Sequence, residues 1–210
     1  MKKTNTKQKI IDTALRLFSE RGYDAVSVGE IAQAVDIKAS SLYNHFESKQ
    51  SIFEAIVGVT YSQYERDTDE INIHVQNSEM DAPFFRGVSE DELFQKVKQI
   101  FDYSLHNENI SRFRKMMTIE QFRSEELGAL YTARFVERLV NYHANIFKDL
   151  IRFGVIFNGD PKALALMYVS PVITLIGICD RQPQREGECI DSLKAHVSLF
   201  YKMVHDMKKA

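Results

Sequence analysis

Residues 27–49 read Ser-Val-Gly-Glu-Ile-Ala-Gln-Ala-Val-Asp-Ile-Lys-Ala-Ser-Ser-Leu-Tyr-Asn-His-Phe-Glu-Ser-Lys, and their spacing predicts two short helices joined by a tight turn. Ser27 and Glu30 form a capping box, in which hydroxyl and carboxylate each satisfy an orphan backbone amide. Val28, Ile31, Ala32 and Val35 then supply a buried face. Asp36 falls at the turn, where Asp tolerates the left-handed conformation better than most residues. Leu42 and Phe46, four residues apart, anchor a helix expected from about Ala39 to His45. Such a pair, led into its second helix by small polar residues, suits insertion into the major groove of DNA.

Outward from this stretch the chain is helical in pattern. Ile10, Ile11, Ala14, Leu15, Leu17 and Phe18 recur at helical spacing and Gly22 follows, which predicts a support helix over 6–21. Ser48 is placed to cap a long fourth helix that buries Ile52, Phe53, Ile56, Val57 and Tyr61. Turn-forming residues over 76–88 predict a loop, followed by a second capping box at Ser89 and Glu92. Helices are then expected over about 90–107, 109–122, 126–153, 161–179 and 187–207. Gly154 stands past the end of one and Asp160-Pro161 opens the next. With no strand signal and no internal repeat, the expected fold is all-α.

Composition bounds the function. In 210 residues, 44% hydrophobic and 27% charged content fits a compact protein rather than a disordered one. A formal charge of -2 means that any nucleic-acid surface is local. Over residues 1–49, Lys2, Lys3, Lys7, Lys9, Arg16, Arg21, Lys38 and Lys49 slightly outnumber Asp12, Glu20, Asp24, Glu30, Asp36 and Glu47. Cys179 and Cys189 follow no metal-ligand spacing and make no disulfide framework, which points to a reducing cytoplasm. The basic start lacks a signal-peptide core, and no uninterrupted apolar run approaches the roughly 20 residues of a bilayer span. No membrane partner is expected.

Two helices suggest self-association. Leu164, Leu166, Met167, Val169, Val172, Ile173, Leu175, Ile176 and Ile178 point all round their helix, which therefore needs cover on every side. In the last helix Ile190, Leu193, Val197, Phe200, Val204 and Met207 form a seam of alternating three and four spacing, suited to shallow helix packing. Val172, Ile176, Ile190, Leu193, Val197, Phe200 and Val204 are the candidate homodimer interface, an intramolecular core being the other source of such stripes.

Segment 27–49 resembles the DNA-binding head of the TetR family of transcriptional regulators. The resemblance rests on Ser27, Ile31-Ala32, Val35-Asp36-Ile37, Leu42-Tyr43, His45-Phe46 and Lys49, with the support helix and Gly22-Tyr23 break at the family's usual distance, and covers about the first 55 residues. It departs in the turn, where Val35-Asp36-Ile37-Lys38 stands in place of a common Ala-Gly-Val-Ser, so that Lys38 cannot cap the recognition helix as Ser does. Lys38, Ala39, Ser40 and Ser41 are then expected to read bases, because short side chains let the backbone approach base edges. The resemblance implies that Tyr43 and His45 contact phosphate or brace the head, with Asn44 beside them on the same helix end. Ser27, Lys49 and the free amides behind them offer anion sites.

The resemblance also implies a small-molecule effector in the helical body that shifts the separation of two heads. Candidate lining residues are Phe101, Tyr103, His106, Phe113, Met117, Tyr131, Phe135, Tyr142, His143, Met167 and Tyr168, suited to an apolar or aromatic ligand. Each of them has core packing as its alternative. Ser170-Pro171 interrupts one buried helix, where Pro is able to kink it. The scattered histidines form no His-x-x-x-His or Glu-x-x-His pair, and there is no phosphate loop or serine elbow, so neither an enzyme, a metal nor a cofactor is expected. The expectation is a homodimer with a helix-turn-helix DNA-binding domain at 1–48 and a ligand-sensing, dimerising domain at 49–210, repressing from a palindromic double-stranded DNA operator. The rival is a helical small-molecule or partner-binding protein without specific DNA binding.

Overall fold

The computed structural model describes residues 6–74, 77–123 and 125–206. Lys2, Lys3 and Met207, used in the charge count and the last helical seam, lie outside the described residues. The elements are α1 (Thr6–Arg21), α2 (Val28–Ala34), α3 (Ala39–Leu42), α4 (Lys49–Glu70), α5 (Ser78–Gly87), α6 (Glu90–His106), α7 (Glu108–Glu120) and α8 (Glu125–Tyr131). A π-helical segment (Thr132–Glu137) leads into α9 (Arg138–Arg152), followed by α10 (Pro161–Arg181), a 3-10 turn (Pro183–Arg185) and α11 (Glu186–Asp206). The described residues contain no strand, and the fold is all-α with an N-terminal helix-turn-helix head and a C-terminal helical domain.

Three expectations need correction. The helix expected to reach His45 ends at Leu42, and residues 43–45 continue as turns. The stretch expected as a loop contains α5: Asn77 caps it by accepting from the Glu79 amide, Glu79 and Asp81 fill its first turn, and Arg86 its last. Pro83 inside α5 removes one N–H from the ladder, yet burial of Asp81 and Ala82 holds the helix. The helix expected over 126–153 changes register through Thr132–Glu137, where one turn winds as π.

The chain divides into two compact units, residues 1–64 with 107–131, and 65–106 with 132–210. In the first, α1 buries Ile10, Ile11, Ala14, Leu15, Leu17 and Phe18. Its core continues through Val26, Ile31, Ala32, Leu42, Phe46, Ile52, Phe53 and Ile56, joined by Ile110, Phe113, Met116 and Met117 of α7. The head thus includes α7, which the expected boundary at residue 48 places elsewhere. In the second unit, α6, α9, α10 and α11 enclose a core that includes Phe101, Ile146, Phe147, Tyr168, Leu193, Val197 and Phe200. Asp160 caps α10 by accepting from the Ala163 amide at 2.6 Å, and α10 runs unbroken through Pro171. Gly154, at φ +63, closes α9: its amide returns to Ile151 O and that of Val155 to Leu150 O.

Candidate nucleic-acid interface

The helix-turn-helix is built by backbone chemistry that can be followed atom by atom. Glu30 N donates to Ser27 Oγ at 3.2 Å, and Ser27 N to Glu30 Oε2 at 2.8 Å, so both halves of the capping box form. The Ser27 amide and hydroxyl, with Arg21 Nη2 at 2.8 Å, hold the Glu30 carboxyl down at about 2. At its other end α2 closes with Asp36 at φ +60; Asp36 N reaches Gln33 O at 3.1 Å and Ile37 N reaches Ala32 O at 3.0 Å. These two bonds are the Schellman pattern, which turns the chain sharply into α3. Lys38 occupies the N-cap of α3 with no side-chain cap, as its chemistry requires.

This turn presents the expected reading residues to solvent. Lys38, Ala39 and Ser40 are exposed, Ser41 is half-buried, and Leu42 beneath them is fully buried. Tyr43, 54% exposed, and Asn44 stand clear of the core, with His45 half-buried beside them. Ser27 is exposed as well, but its hydroxyl donates to Glu30 Oε2. Lys49 is engaged: Nζ donates to Tyr23 O at 2.8 Å and Val26 O at 2.9 Å and lies 4.2 Å from the Tyr23 ring centre. Two of its three protons brace the α1–α2 connection, leaving one for a phosphate.

Glu120, absent from the sequence-level candidates, completes the head. It has 0% exposure, and its Oε1 accepts from Tyr23 N at 2.8 Å while Arg123 Nε lies 3.0 Å from Oε2. Arg123 also pairs with Asp24. Gly22, at φ +83, leaves the room this needs, since a Cβ there would stand 3.3 Å from Glu120 Oε1. Tyr23 packs between Phe18 and Phe53, with ring centres 5.1 and 5.5 Å away. Burial, then the charges of Asp24, Glu120 and Glu54, raises its phenol above the ordinary range.

The eleven candidate ligand residues do not converge on one site. Phe113 and Met117 are buried in the first unit, to which Tyr131 at the end of α8 also belongs. In the second unit Phe101 is core, Phe135 stands half-buried in the π segment, and Met167 is 51% exposed. Tyr103 donates to Asp67 at 2.6 Å, and His106 lies 2.9 Å from Glu186. Tyr142 donates to the buried Asp81, which also accepts from His74 N at 2.8 Å and sits 2.6 Å from His74 Nδ1. His143 and Tyr168 alone of the eleven line a cavity of about 30 Å³, together with Phe85, Val88, Leu93, Tyr201 and His205 among others. Phe85 was out of reach because its segment reads as a loop.

Of the seven candidate interface residues, Leu193, Val197, Phe200 and Val204 are 5% exposed or less within their own chain. They are corrected to core positions, because a contact between copies needs surface that the single chain leaves open. Val172, Ile176 and Ile190 are half-buried, and the exposed apolar side chains nearby in sequence are Leu166 (44%), Met167 (51%) and Leu199 (72%). By length and apolarity α10 is the one described helix that matches a membrane span, at a mean hydropathy of 1.8. Leu164, Ala165, Tyr168, Val169 and Cys179 nevertheless bury one of its faces in the unit's own core. Burial, with a hydrogen bond to Cys189 next, pushes the Cys179 thiol up to about 12, which makes the buried thiol a poor nucleophile and metal ligand at neutral pH.

Comparison with known proteins agrees with this geometry. Residues 10–56 match the family model described as bacterial regulatory proteins, tetR family. The biofilm operon icaADBC HTH-type negative transcriptional regulator IcaR of Staphylococcus aureus (strain Newman) is 57% identical over 51 residues. That stretch is 24% of this chain and 27% of IcaR, so the match spans about a quarter of that relative's length. A Bacillus subtilis (strain 168) protein designated a probable HTH-type transcriptional regulator, YttP, is 28% identical over 207 residues, covering 96% of this chain and 89% of that one. The fold is similar to that of a Saccharomonospora viridis protein described as a transcriptional regulator and solved in complex with choline. There the TM-score is 0.66 at 18% identity, over 93% of this chain and 95% of the other.

Proposed function

We propose, from the premise that this chain belongs to the TetR family of bacterial regulators, that it is a cytoplasmic, ligand-responsive repressor that binds a palindromic operator as a homodimer. The observation that carries the reading is the exposed row Lys38, Ala39, Ser40, Tyr43 and Asn44 on a turn closed by the Asp36 and Ile37 amides. Short hydroxyl side chains at the start of α3 meet base edges, while Lys38, Tyr43 and the remaining Lys49 proton meet phosphates. Two such heads about 34–36 Å apart reach successive major grooves on one side of the duplex. The second copy is expected on the exposed apolar side chains of α10 and α11, Leu166, Met167 and Leu199, with Val172, Ile176 and Ile190 of the same helices half-buried. A small apolar or aromatic effector entering the second unit releases the DNA by population shift.

The test is an electrophoretic mobility titration on duplex DNA from upstream of the protein's own coding region, with random duplex as competitor. Tight binding that Lys38→Ala with Tyr43→Ala abolishes, at unchanged melting temperature, is the expected result. Binding no tighter than to random duplex contradicts the reading and favours a helical small-molecule or partner-binding protein.

A further inference from the structure

Building on the reading of the second unit as effector-binding, we propose that its cavity selects an uncharged ligand carrying a hydroxyl group on an apolar body. Tyr168 Oη donates to that hydroxyl and His143 Nε2 accepts from it. The cavity lies among α5, α6, α9, α10 and α11, and its wall is apolar apart from Tyr168, His143, Tyr201 and His205. No lysine, arginine or carboxylate lines it among the described residues.

The tautomer of His143 follows from its partner. Nδ1 lies 2.9 Å from Leu139 O, and a carbonyl only accepts, so Nδ1 carries the proton. Nε2 of the neutral ring is then an acceptor, and no described residue donates to it. Burial holds His143 down to about 4, so the ring is neutral at cytoplasmic pH. Tyr168 is 5% exposed, its ring centre lies 5.1 Å from that of His143, and no described residue hydrogen-bonds its Oη. Tyr201 Oη is already committed, donating to Val88 O at 3.2 Å, while His205, with Nδ1 2.8 Å from Tyr201 O, is held as His143 is and offers its Nε2 as a second acceptor.

A donor and an acceptor on the wall of one apolar cavity favour a ligand that answers both. A hydroxyl does so with one atom. A carboxylate answers the tyrosine but opposes the Nε2 lone pair, finds no lysine or arginine, and meets the field of Asp81, which also acts on His143. A quaternary ammonium has no proton for His143 and no lone pair for Tyr168. The cavity has room for little more than a water, so the ligand enters by displacing side chains, and small probes suit the test.

Calorimetric titration of the full chain with phenol, toluene, benzoate and phenyltrimethylammonium tests the inference. Phenol is expected to bind roughly tenfold tighter than either ion, and Tyr168→Phe to weaken phenol about tenfold while leaving toluene unchanged, the toluene result showing the cavity intact. Benzoate or phenyltrimethylammonium binding as tightly as phenol, no phenol binding, or equal phenol affinity in Tyr168→Phe overturns it. Anisotropy of labelled operator in the same samples separates the two readings. Phenol bound with the operator still held contradicts effector release while leaving the cavity's selectivity intact.

Discussion

Glu120 shows how a single side chain can tie together residues far apart in sequence. Its carboxylate satisfies the Tyr23 amide 97 positions earlier, inside a unit where it has no exposed surface. Glu120→Ala leaves that amide and the Arg123 guanidinium short of a partner, and urea unfolding should show a loss of about 1–3 kcal/mol; unchanged stability would contradict the role given to it. His143 makes a second prediction through its lowered pKa. Between its ordinary value of 6.5 and about 4, the unfolded chain takes up a proton that the folded chain refuses, so stability falls as pH drops through that window. Wild-type melting temperature should fall more steeply from pH 6.5 to 4 than that of His143→Leu, and parallel curves would argue against a buried neutral imidazole. Of the two, His143 stood among the sequence candidates for the cavity, whereas Glu120 was not legible. Glu120 sits in a helical pattern like any other surface acid, and nothing local marks it as the partner of a turn.

Among the elements, those with local chemistry were the legible ones. The Ser27–Glu30 box, Asp36 in the left-handed region and the Gly22 and Gly154 stops all follow from neighbours within a few residues, and all appear where expected. Helix α5 was hidden because Pro83 and Gly87 imitate a loop, while what stabilises it, the burial of Asp81 against Tyr142 and His74, lies outside the segment. The seam of α11 was visible as a stripe, but a stripe does not say which molecule covers it. Leu193, Val197, Phe200 and Val204 face their own chain. Leu193→Glu is therefore expected to unfold the second unit rather than dissociate a dimer, since it places a charge at 0% exposure. Circular dichroism distinguishes the two, and a folded Leu193→Glu monomer would contradict this placement.

For the whole molecule, the proposed homodimer requires that the apolar surface of α10 and α11 be closed by a second copy. Met167→Glu with Leu199→Glu charges two side chains that are 51% and 72% exposed, so folding should survive while sedimentation mass halves. A wild-type chain already monomeric, or a double variant still dimeric, would contradict that surface. The loss of dimer should carry operator affinity with it, because one head holds only one half-site. The central claim, that α3 reads DNA, is tested most directly by selecting random-sequence duplexes with the wild-type protein and sequencing those retained. The account predicts enrichment of a two-fold palindrome whose half-site preference changes in Ser40→Val, and a retained pool no different from the input would contradict it.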